Sequence, residues 1–90
     1  MKLLYSEEAV KNLRSFDPVE RVLIAKKLRY LTENFEVLKR SKKVRELRGT
    51  EFPDQYRFVI ARKIRAIFRV EGDRMILLVL RIGRRKNVYE

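Results

Sequence analysis

Residues 63–90 read KIRAIFRVEGDRMILLVLRIGRRKNVYE, and the parsing of this stretch decides the fold. Ile64, Ala66, Phe68 and Val70 alternate with Arg65, Ile67 and Arg69. A period of two places the first set on one face of a strand and the second on the other. One face is therefore apolar, and the other carries guanidinium groups around Ile67. Gly72 and Asp73 suit a tight hairpin after Glu71. The run from Met75 to Ile82 is apolar at both parities, the pattern of a strand that sits inside a sheet. It closes at Gly83, followed by three consecutive cations, Arg84, Arg85 and Lys86, with Tyr89 next to last.

Outward from this frame, Tyr56 to Ile60 reads as another strand, connected through Ala61 to Lys63. The stretch RGTEFPDQ holds Gly49 and Pro53 and reads as a loop. Before it, LKRSKKVREL reads as a basic connector into a short strand over Val44 to Leu47. The first third has a different pattern. Lys2 to Tyr5 fits a short strand. Ser6 fits an N-cap, with Glu7 and Glu8 where the helix dipole favours them. Ala9, Val10 and Leu13 give a short amphipathic helix ending near Ser15 or Phe16. DPVE restarts the chain, with Asp17 as N-cap and Pro18 at the first helical position. That helix is expected to run to about Asn34, with Ile24, Leu28, Leu31 and Phe35 as its core stripe.

The expected architecture is α+β in a single domain over residues 1–90. A short N-terminal strand leads to a helical hairpin, and then to an antiparallel meander with the helices packed on one face. The other face is left open and lined by cations. No repeat, low-complexity tract or linker interrupts the chain.

Composition narrows the chemistry. The 90 residues contain no Cys and no His. Disulfides, thiolate nucleophiles and thiolate or imidazole metal ligands are excluded, as is the usual general base near neutral pH. Glu71 with Asp73, and Glu51 with Asp54, lack a spacing that argues for a metal, and no Gly-rich phosphate loop occurs. The apolar run MILLVL is strand-sized, and the N-terminus lacks a signal core, so the expected compartment is the cytoplasm with no membrane partner. The net charge is +11 and unevenly placed. Residues 1–36 hold seven Lys/Arg and six Asp/Glu, a net of +1; residues 37–90 hold sixteen and six, a net of +10. The second part calls for a polyanionic partner, and nucleic acid, an acidic protein and an anionic membrane all qualify.

The cations on the strands and at the tail are Arg57, Arg65, Arg69, Arg81, Arg84, Arg85 and Lys86. A single one reads as a solvated charge. As a set on strands that pair with each other, they read as a phosphate-binding surface, for which the planar Arg fork is suited. Tyr56 and Tyr89 could stack bases. For Tyr56 partial core burial is the better reading; Tyr89 stands open between a base contact and a solvated tail.

VRELRG at 44–49, QYRF at 55–58 and the stretch from Lys63 to the end together resemble the RelE/ParE superfamily of toxins from type II toxin–antitoxin pairs. The resemblance spans the whole chain and is strongest from Val44 to Tyr89. The terminal Val-Tyr looks like the RelE side, whose members cut mRNA on the ribosome, rather than the ParE side, which poisons DNA gyrase. The resemblance implies a ribosome-dependent endoribonuclease without metal or other cofactor. In it the RNA 2′-hydroxyl attacks its own phosphate and leaves a 2′,3′-cyclic phosphate. Arg57 takes the place of a basic active-site residue, Arg65 of a phosphate-binding Arg, Arg85 of a general acid and Tyr89 of a substrate contact. Arg69, Arg81, Arg84, Lys86 and Lys63 are expected to bind RNA around them. The implied partners are an acidic antitoxin and mRNA on the ribosome. This sequence departs from the pattern at Val59, where relatives often carry a Lys able to act as base, and at Arg84, where many carry His. Lys63 is the candidate substitute base. The alternatives are a ParE-like gyrase inhibitor and a decayed toxin that only binds its antitoxin.

Overall fold

A computed structural model describes residues 1–47, 54–84, 86 and 88. Strand β1 (Lys2–Tyr5) is followed by helices α1 (Glu7–Ser15), α2 (Pro18–Glu33) and α3 (Phe35–Arg40). Strands β2 (Val44–Glu46), β3 (Gln55–Ala61), β4 (Ile64–Glu71) and β5 (Ile76–Arg84) complete the chain. The five strands form one sheet in the order β1-β5-β4-β3-β2. Strands β2 to β5 make the expected antiparallel meander, and β1 adds to the far edge of β5 in parallel. The doubly apolar β5 thus lies between two strands.

Local chemistry accounts for the helix starts. Ser6 Oγ accepts a hydrogen bond from the Ala9 N–H at 3.0 Å, and Asp17 Oδ1 accepts one from the Glu20 N–H at 2.8 Å. Ile24, Leu28 and Leu31 of α2 are fully buried against the sheet, together with Phe58, Ala66, Phe68, Leu77 and Val79. Phe35, Tyr56 and Phe68 form an aromatic cluster, with Tyr56 stacked on Phe68 at 5.5 Å and Phe35 edge-on to both. Tyr56 is therefore a core residue.

Three expectations change. The connector after Asn34 begins as a helix, because Phe35 and Leu38, three residues apart, both bury on the core. Lys39 lies over the rings of Phe35 and Tyr56, at 5.9 and 5.5 Å, and holds that turn in place. Met75 does not open β5. It sits in the left-handed region at φ 53°, closing a 3₁₀ turn over Gly72–Arg74 in place of a two-residue hairpin. Strand β5 in turn runs on to Arg84, beyond the expected end at Ile82. The loop expected before Tyr56 lies outside the described residues from 48 to 53. Among the described residues, no helix is long and apolar enough to cross a membrane.

Candidate nucleic-acid interface

The pairing register defines what the helix-free face presents. Arg45 lies opposite Arg57, Arg57 opposite Ile67, and Ile67 opposite Arg81, so one row crosses four strands. Residues two apart on a strand share a face, which puts Arg65 and Arg69 on either side of Ile67 in the same plane. Ile67 is fully buried yet stands apart from the helix-side core cluster. Aliphatic stems of the flanking arginines are the natural roof for it.

A bulge sets this arrangement. Leu77 and Val79 face the helices, and strict alternation would turn Arg81 inward as well. Instead the ladder passes from Phe68 opposite Val79 to Ile67 opposite Arg81, leaving Leu80 as an extra residue. Ile82 then joins the core and Arg81 faces out. Two side chains of the N-terminal segment support the bulge. Ser6 Oγ donates to the Leu80 carbonyl at 2.8 Å, and Asn12 Oδ1 accepts from the Ile82 N–H at 2.9 Å. Neither role was readable in the sequence, since both join positions about 70 residues apart.

The arginines differ in what engages them. Arg65 Nη1 donates to the carbonyls of Ala61 at 2.7 Å, Arg62 at 3.0 Å and Ile64 at 3.2 Å, and so braces the β3–β4 turn. Arg69 pairs with Glu71 at 3.1 Å, and Glu71 also holds Arg74. The Nε atoms of Arg57 and Arg69 are buried donors with no hydrogen-bond partner among the described residues. Such a donor is costly unless something accepts from it.

A second cluster lies at the end of the sheet. Arg62, Lys63, Arg84 and Lys86 line a cleft of about 360 Å³. Three of these were expected to bind RNA; Arg62 was missed, as one more charge in a turn. Arg84 also clamps the fold. Its guanidinium pairs with Glu20 at 3.0 Å and lies 5.0 Å from the centre of the Phe16 ring. The tail returns here: Val88 is buried and packs on Gly83, where a Cβ would stand 3.3 Å from the Val88 Cβ. Gly83 pairs with Arg65, so the contact lies beside the arginine cluster. Val88 was also missed, although an apolar residue in a charged tail is a signal for an anchor. Arg85 and Tyr89 lie outside the described residues.

Comparison with known proteins matches these features to a family. The family model described as the ParE toxin of the type II toxin–antitoxin system parDE matches residues 3–89. No match was found among curated proteins. Among solved structures, the chain resembles one in the intact Escherichia coli RelBE toxin–antitoxin complex. Identity is 24%, coverage is 92% of this chain and 94% of that one, and the TM-score is 0.71. It also resembles one in the archaeal RelE–RelB complex from Pyrococcus horikoshii OT3, at 23% identity, 97% coverage of both and a TM-score of 0.71. A YoeB/ParE toxin from Agrobacterium tumefaciens aligns at 19% identity over 93% of this chain and 98% of that one, with a TM-score of 0.65. At these identities the structural likeness establishes the fold.

Proposed function

The chain belongs to the ParE toxin family of type II toxin–antitoxin systems, and from that premise we propose that it is a ribosome-dependent mRNA endonuclease. One observation carries this reading: Arg57, Arg65, Arg69 and Arg81 converge around Ile67 on the helix-free face, with a buried Arg57 donor still unpaired. A phosphodiester supplies the acceptors such a cluster lacks. The 2′-hydroxyl of an mRNA nucleotide attacks the adjacent phosphorus, forming a new P–O bond and expelling the 5′-oxygen. The products are a 2′,3′-cyclic phosphate and a 5′-hydroxyl.

Negative charge grows on the non-bridging oxygens as the bond forms. Arg57 and Arg65 stabilise it, a contribution fixed in advance by the sheet. Arg65 is held by the turn carbonyls and so needs no reorganisation when substrate arrives. Arg85 is assigned the leaving oxygen and Tyr89 a base contact. Arg69, Arg81 and the cleft of Arg62, Lys63, Arg84 and Lys86 follow the RNA backbone on either side. With Val59 on β3 opposite Arg65, that strand offers no amine to take the 2′ proton. Lys63 in the neighbouring turn is the candidate base, and the ribosome supplies the alignment of the RNA. An acidic antitoxin is the partner that neutralises the toxin.

The same departure at Val59, with the family's ParE description, favours gyrase inhibition as the second reading. Induction in a bacterial host separates the two. Mapping transcript 5′ ends should show new cuts inside translated frames within minutes of arrest. Uncut transcripts together with relaxed plasmid DNA and a DNA-damage response would establish the gyrase reading instead. Uncut transcripts without either response would leave a protein that only binds its antitoxin.

A further inference from the structure

A groove of about 730 Å³ runs between α2 and the β2–β3 edge of the sheet. Strand β2 pairs only with Tyr56, Arg57 and Phe58, so β3 continues through Val59–Ala61 without a partner on that side among the described residues. An unpaired strand end is a template for an incoming strand. The groove beside it has apolar walls from Leu23, Tyr30 and Val59, which are 37%, 48% and 39% exposed. Its charged lining is Lys26, Lys27, Lys42, Lys43, Arg45 and Arg57, and among the described residues it contains no carboxylate.

We propose that this groove takes an extended, acidic segment of a partner protein, which adds a strand to β3 beyond β2 and captures Arg57. The inference rests on the toxin reading and deepens it, because it says where the neutralising partner takes hold and why that silences the site. Backbone groups of the segment pair with the free end of β3. Its apolar side chains, on alternate positions, seat among Leu23, Tyr30 and Val59. Its carboxylates meet the four lysines, and one accepts from the buried Arg57 Nε. Arg57 is then withdrawn from RNA. Charge chooses this occupant over a second copy of the chain, since two copies would each bring +11 to the contact.

The test uses the purified full chain and a short peptide alternating Glu with Val and Leu, with binding read by fluorescence anisotropy at physiological salt. The peptide should bind, and saturating peptide should lower affinity for a single-stranded RNA oligonucleotide. The double variant Lys26→Glu/Lys43→Glu should weaken the peptide by about tenfold or more. Alternate N-methylation of the peptide backbone keeps every charge but blocks strand pairing, and should abolish binding. Equal binding of the methylated peptide, or of a Glu homopolymer, would reduce the effect to unspecific attraction and overturn the proposal. So would a dimer of the chain in sedimentation that Tyr30→Glu dissociates, which makes a second copy the occupant. Loss of RNA binding but not peptide binding in the double variant would assign the groove to RNA. The assay contains no ribosome and reads no cleavage. A failure here therefore strikes the groove alone, and a failure to cut mRNA leaves it standing.

Discussion

Arg57 and Arg65 lie on adjacent strands of the same face, yet they should respond differently to substitution. Arg65 spends one nitrogen on three carbonyls of the β3–β4 turn. Replacing it with Ala leaves those acceptors without their donor and should cost about 1–3 kcal/mol of stability, as well as activity. Arg57 has a buried Nε without a partner, so its charge adds little to folding. Arg57→Met keeps an unbranched stem over Ile67 and removes only the guanidinium. It should melt near the parent temperature while cleavage falls on the order of a hundredfold, the usual loss for one preorganised charge-stabilising donor. Thermal melts beside cleavage assays check both. Val59→Lys makes the complementary case. It places an amine opposite Arg65 on the exposed side of β3 and should raise the cleavage rate, measured under single-turnover conditions. The Arg pattern was legible in the sequence because a strand's alternation is local. The difference between Arg57 and Arg65 was not, because it depends on where a turn's carbonyls point.

The elements that matter most for the site are the bulge in β5 and the segment that supports it. Period-two reading located β4 and β5 and assigned their faces, and capping residues located α1 and α2. It could not place the bulge at Leu80, because Leu78, Val79 and Leu80 are interchangeable in an apolar run. The short helix α3 was passed over for the opposite reason: its two buried residues are diluted by Lys39, Arg40 and the basic stretch that follows. Asn12 ties α1 to the bulge through the Ile82 N–H. Asn12→Ala should destabilise by about 1–2 kcal/mol by orphaning that donor. It should also loosen the outward placement of Arg81, seen as faster amide exchange at Ile82 than at Leu77. Strand β1 gives a pH dependence. Burial holds the Tyr5 phenol above its ordinary 10.0, against the pull of Arg29. The folded state keeps a proton that the unfolded chain releases, so this stabilisation is complete below the unfolded value and lost as pH rises through the folded one. Urea midpoints should therefore fall between about pH 9 and about pH 11, and Tyr5→Phe should flatten that fall.

At the scale of the molecule, charge and fold divide along one line. The helical third is nearly neutral and covers one side of the sheet; the later part carries a net of +10 on what remains. The composition announced a polyanionic partner without choosing among three classes. Register and cavities narrow that choice: arginines around Ile67 suit phosphate, and a lysine-lined groove at a free strand end suits an acidic chain. The central claim is that the arginine face cuts mRNA held by the ribosome. The most direct measurement is to incubate the purified protein with ribosomes paused on a defined mRNA and to determine the chemistry of both new ends. The account predicts a cut within the ribosome-bound codon, a 2′,3′-cyclic phosphate on one side and a 5′-hydroxyl on the other, all lost with Arg57→Met. Intact mRNA with the parent protein, in a preparation that blocks gyrase supercoiling, would contradict it.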